Sequence, residues 1–180
     1  MPKIKTKIIH GITNALAGIT GKEVYRQTLP KPKGANEIIL NLNGYSQVRA
    51  YTCGYVAALT VIEYLKGPKI GAARLFREMK IDEDGCGTEE IRRVLRLHGV
   101  KTATRYDLTF NQVVRFISDG KIIVASCGHG EHWINVVGVG LHPKKVFYTG
   151  NVASPSAKRI SWKAFKEDGG CRGDNLICSI

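Results

Sequence analysis

The chain has 180 residues, 43% of them hydrophobic and 23% charged, which argues against extended disorder and for a single domain able to bury a core without staples. Its 27 Lys and Arg against 15 Asp and Glu give a formal charge of +12, which favours an acidic partner; the cations are scattered with no block of five, which reads as a solvated basic surface and not as a nucleic-acid face. No segment comes near the ~20 apolar residues of a membrane span, and the opening MPKIKTKIIHGITNALAGIT lacks the sustained apolar core of a cleavable signal.

Residues 1–44 read as an N-terminal arm or hairpin of the same domain, with strand-like KIKTKII and NEIILNL on either side of a loop, LPKPKGAN. The main domain spans 45–180. A helix opening near Cys53 carries Val56, Ala57, Ala58, Leu59, Val61, Ile62 and Leu65, so it is apolar nearly all round and belongs in the middle. After Gly67-Pro68 a second helix puts Ala72, Leu75, Phe76 and Met79 on one stripe and ends at the loop DEDGCG. The third has Thr88 as its N-cap, Glu89 and Glu90 in the first turn, Ile91, Val94 and Leu95 toward the core, Arg92, Arg93 and Arg96 outward, and Gly99 as its stop. A fourth starts at Thr109, spaces Phe110, Val113, Val114 and Ile117 at helical period, and ends at Gly120.

The period then changes. KIIVASC, HWINVVGVGL and KVFYTGN are β-branched and aromatic runs with turns between them, followed by a short helix, SWKAFKE. Helices first and an antiparallel sheet second predict an α+β fold. Five cysteines form an odd set with no compact framework, which points to a reducing, cytoplasmic setting. Cys171 and Cys178 would be able to close a loop in an exported protein.

Three side chains make a chemical proposition. A cysteine in the first turn of a helix faces unpaired N–H groups and the positive end of the macrodipole, which favour its thiolate. Gly54 beside it leaves room for a carbonyl, and the Cys53 N–H with the Gln47 amide would form a two-donor oxyanion hole. His132 opens HWINVVGVGL and Asn151 ends KVFYTGN. With a two-residue turn at His142 and Pro143, Leu141 faces Lys144, His132 faces Ala153, and Asn151 is a diagonal neighbour of His132 within about 7–8 Å. A shift of one residue would put the two on opposite faces. The imidazole would take and return the thiol proton, and the carboxamide would fix its tautomer. Read singly, Cys53 is a small buried hydrophobe, His132 a strand-end histidine and Asn151 a turn residue; the combination is what points to chemistry. The rival cluster Cys127, His129 and His132, with Glu131, lies in a glycine-bearing loop whose spacing fits no zinc pattern, so neither metal nor other cofactor is expected.

These residues resemble the papain-like cysteine peptidases, and within them the bacteriocin-processing, double-glycine-leader peptidase family and its stand-alone relatives. The resemblance runs from Gln47 to about Lys166, through the Cys53-Gly54 pair, GTEEIRRVLRLHGV, KIIVAS, HWINVVGV, the Asn151 turn and ISWKAF. It implies a papain-like α+β fold with helices packed on the sheet. It also implies a thiol peptidase in which Cys53 is nucleophile, His132 general base and acid, Asn151 its orienter and Gln47 an oxyanion donor, acting on a peptide or protein. The chain departs from the family at Thr52, where Asp is usual, and at Asn151-Val152, where Asp-Pro is usual. Two other functions use the same scaffold: acyl transfer or deamidation through the same thioester, and a non-catalytic module that binds an acidic partner on the basic helix RRVLRLHG.

Overall fold

A computed structural model describes residues 24–47, 49, 51–68, 70–150 and 154–180. Asn151 and the segment KIKTKII therefore lie outside the described residues. In chain order the elements are β1 (Val24–Gln27), β2 (Glu37–Ile39), β3 (Gly44–Gln47), α1 (Cys53–Lys66), α2 (Ala72–Glu78), α3 (Thr88–Leu97), β4 (Lys101–Arg105), α4 (Phe110–Ser118), β5 (Ile122–Cys127), β6 (His132–Gly140), β7 (Lys145–Thr149), β8 (Lys158–Ser161), α5 (Trp162–Glu167) and β9 (Asn175–Ser179). A single 3-10 turn, Gly128–Gly130, joins β5 to β6.

The main sheet runs β4-β9-β5-β6-β7-β8, and β2 also pairs with β6. All its ladders are antiparallel. Successive strand residues point to opposite faces, and every residue of β5 is buried, as is every residue of β6 after His132. Both faces of these central strands are therefore covered. The apolar helix α1 is buried from Cys53 through Ile62 and packs on β6, β3 and β5, as its all-round hydrophobicity demands. Full burial of each large aliphatic side chain contributes about 1.5–3 kcal/mol. Thr60, the one polar residue inside that stretch, satisfies its hydroxyl on the Val56 carbonyl at 2.9 Å.

The other helices follow their signals, with one change of cap. Thr109 and Gln112 form a capping box on α4, and Ser161 caps α5. The Gly99 and Val100 N–H groups bond to the Arg96 and Leu95 carbonyls, a Schellman stop with Gly99 at φ +70°. On α3, however, Gly87 is the N-cap, and Thr88 is the first helical residue. Its hydroxyl donates to the Asp174 carboxylate instead, tying α3 to the loop before β9.

Three further differences concern the strands. KTATR and NLICS are strands β4 and β9, and β9 lies between β4 and β5. Gln47, expected in the loop upstream of Cys53, ends strand β3 instead, and β3 pairs with β1 through Val24↔Gln47. The connection between β6 and β7 is residues 141–144, with Gly140↔Lys145 as the first pair. A bulge at Val137 then shifts the register by one, giving Val136↔Tyr148 and Asn135↔Thr149, where the ladder ends. The pairing of His132 with Ala153 is therefore not made by this ladder, and no diagonal relation to Asn151 can be drawn from it.

All five cysteines are free thiols, so Cys171 and Cys178 do not close a loop. Among the described residues no helix is long and apolar enough to cross a membrane.

Candidate active site

Cys53 is the first residue of α1 and is 6% exposed. Thr52 precedes it as the N-cap but makes no side-chain cap; its hydroxyl donates to the Arg49 carbonyl at 2.9 Å and braces the approach to the helix. The first-turn N–H groups are thus left to other acceptors. Two of them, from Gly54 and Cys53 itself, lie close to the sulfur together with the backbone N–H of Trp133, and all three favour its thiolate. Burial nevertheless outweighs these donors and pushes the Cys53 thiol above its ordinary range. The helix end alone therefore does not make the thiolate that its position in the sequence suggests.

The Trp133 contact brings the start of β6 to the start of α1. His132, the residue before it, is half-buried as the first residue of β6, opposite Cys127. Trp133 is held from its other end as well, because its indole N–H donates to the Cys86 carbonyl at 3.0 Å. Cys86 follows the tight turn Asp82–Gly85, whose two ends exchange backbone hydrogen bonds of 3.2 and 3.1 Å.

Gly54 has a different role from the one expected. A Cβ there would collide with the Cys86 sulfur and sit 3.2 Å from Ile91 Cδ1. The missing side chain makes room for the wall of the site and not for a substrate carbonyl. Cys86 is pushed up to about 12 by burial and next by the charge Cys53 would carry. Cys127 is likewise pushed up to about 12, by burial, then Asp168 and Cys53.

The exit of β7 meets the same region. Gly150, at φ +100°, lies against β6, where a Cβ would be in ordinary contact with the Trp133 carbonyl oxygen at 3.4 Å. Its N–H donates to the Tyr45 carbonyl of β3 and to Gln27 Oε1 of β1, both at 3.0 Å. Gln47, two residues beyond Tyr45 on β3, is buried. The structure thus brings together Cys53, the residue after His132 and the residue before Asn151, beside the strand that ends in Gln47. Sequence reasoning missed the Trp133 backbone donor, the Cys86 wall and the Gln27 clamp; Cys86 stood out only as part of the loop DEDGCG.

Among the described residues no three His, Cys, Asp or Glu side chains gather to hold an ion. His129 sits in the left-handed region at φ +56° in the turn between β5 and β6, and its N–H donates to the Asp168 carbonyl.

A helix begun by a thiol and packed on an antiparallel sheet whose strand start touches that thiol is the papain-like α+β fold of peptidase domains. Among solved structures the chain is similar to a double-glycine-motif protease from an AMS/PCAT transporter, determined in complex with the leader peptide, at TM-score 0.60 and 15% identity over 78% of this chain and 92% of that one. It is similar also to the peptidase domain of Streptococcus ComA, a bifunctional ABC transporter involved in a quorum-sensing pathway, at TM-score 0.58 and 18% identity over 74% and 95% of the two chains. The peptidase domain of Streptococcus mutans ComA gives TM-score 0.51 and 16% identity over 79% and 99%. At such identities the likeness is one of fold. No family model matches the chain, and no curated protein does.

Proposed function

We propose that the protein is a cysteine peptidase that cleaves a peptide through a thioester on Cys53. The observation that carries this reading is the Trp133 backbone N–H close to the Cys53 sulfur, since it sets the helix that begins with the thiol beside the strand that begins with His132. Support comes also from the fold, shared with peptidase domains, one of them in complex with a leader peptide.

In this mechanism His132 takes the Sγ proton, and the sulfur attacks the scissile carbonyl carbon while the carbonyl π pair moves to oxygen. The oxyanion is stabilised by the Cys53 N–H and by the Gln47 amide. Collapse breaks the C–N bond, and the leaving amine takes its proton from the imidazolium. Water, deprotonated by His132, then attacks the thioester, and the acid product leaves with the thiol restored. Asn151 orients the ring throughout. The substrate class is an extended peptide, and the double-glycine motif of the AMS/PCAT neighbour makes a Gly-Gly site the first to try.

The test is product identification by mass spectrometry after incubation with a peptide library that includes Gly-Gly sequences, in parallel with Cys53→Ser. Cleavage by the native chain alone is expected. Equal product from both proteins, or none from either, would refute the reading.

A further inference from the structure

We propose that the open edge of β4 is a docking strand for an extended, acidic peptide segment of a partner protein, held by main-chain pairing and by the cations that flank the strand. β4 ends the main sheet, and among the described residues no strand pairs with its outer side. Alternate backbone N–H and C=O groups of an edge strand point away from the sheet and are complementary to a further strand.

Two shallow grooves border this edge. One, of about 210 Å³, is lined by Lys101, Ala103 and Arg105 of β4 with Phe116, Lys121 and Ile177. The other, of about 270 Å³, is lined by Arg92, Arg96 and Val100 with Lys101 and Thr102. Side chains of an added strand would alternate between such grooves, and every charged residue lining them is a cation. Arg92 and Lys121 already pair with Glu89 and Asp119 at 2.8 and 3.5 Å, whereas Lys101, Arg105 and Arg96 are exposed and have no ion pair among the described residues.

The exposed large apolar side chains of the described residues are Leu97, Tyr106 and Ile180, at 61%, 68% and 67%, and all three bracket this strand. Leu97 closes α3 just before β4, and Tyr106 directly follows β4. Ile180 follows β9 at the Lys101 end, where Lys101 pairs with Ser179. An apolar contact is thus available at each end of a bound segment.

The charge selects the occupant. A second copy pairing edge to edge would set these cations against themselves, and residues 3–9 of this chain carry Lys3, Lys5 and Lys7, so both are repelled where an acidic strand is attracted. The opposite edge, β8, differs: Arg159 is already paired with Glu37 at 3.1 Å, and residues just before β8 bond to the Thr28 backbone. With β9 and β5 between them, β4 lies about 14 Å from β6, so occupancy of the edge does not require the Cys53 site.

The probe is a fluorescein-labelled peptide of alternating glutamate and valine, with a lysine–valine peptide as control, measured by anisotropy against the full chain and against Lys101→Glu combined with Arg105→Glu. Both substituted side chains are exposed, so the fold should persist. Binding of the acidic peptide alone, weakened about tenfold or more in the double variant, with slowed amide exchange at residues 101–105, is the expected result. The proposal is overturned by absence of binding, by binding that leaves exchange at 101–105 unchanged, or by equal competition from a single-stranded oligonucleotide. It is overturned also if the free chain is a dimer protected at β4, or if all β4 amides of the free monomer already exchange slowly, which would mean that a second copy or the chain itself fills the edge.

Discussion

Replacing His132 by alanine probes the proposed thiol–imidazole pair directly. In the structure burial pushes the Cys53 thiol up, and the Trp133, Gly54 and Cys53 N–H groups recover only part of that. Cys86, Cys127, Cys171 and Cys178 are each pushed up to about 12, so in mildly acidic buffer none of the five would be thiolate without further help. An imidazolium at ~4 Å and an effective dielectric constant of ~20 supplies about 4 kcal/mol, or close to a thousandfold in the thiolate-to-thiol ratio at fixed pH. Iodoacetamide alkylation followed by peptide mapping reads this ratio site by site. Native Cys53 should react much faster than the other four thiols below neutral pH. In His132→Ala that advantage should vanish and return only as the pH rises past the ordinary thiol range. Equal labelling of all five sites in the native chain would refute the pairing and favour the non-catalytic binder; an unchanged Cys53 rate in His132→Ala would remove His132 from the site.

Three other outcomes are expected. Gly54→Ala drives a methyl into the Cys86 sulfur and Ile91, so urea denaturation should show a loss of about 1–3 kcal/mol, partly recovered by adding Cys86→Ala; equal loss with and without Cys86 would contradict that contact. Thr149 is fully buried and its hydroxyl has no hydrogen-bond partner among the described residues, so the near-isosteric Thr149→Val should raise stability by about 1 kcal/mol, and a loss of that size would show the hydroxyl is bonded. The Arg74 hydrogen bond, then His98, holds the Glu78 carboxyl below its ordinary range, and Arg93 does the same for Glu90. Their contribution is therefore present above the unfolded carboxylate value of about 4.3 and lost as pH falls through the lower folded values. The thermal midpoint should fall in that acid window, less steeply in Glu78→Gln with Glu90→Gln; identical acid profiles would dismiss these pairs.

The sequence by itself determined the central helix, the three helices after it, strands β5 to β7 and the short helix α5, because each carries its own periodicity, cap or stop within a few residues. Its resemblance to papain-like peptidases agrees with the observed α+β fold. Tertiary structure alone decided the rest. KTATR is half-exposed at a sheet edge and NLICS is buried on both faces, so neither alternates in a way that local pattern reveals. The bulge at Val137 is a property of two strands in contact and leaves no mark in either. The sulfur of Cys53 shows most clearly why: a helix start favours a thiolate from local geometry, but the burial that outweighs it is made by the packing of the whole fold around the thiol. Polarity at a site is set by everything packed around it, and a linear sequence specifies only the neighbours on either side.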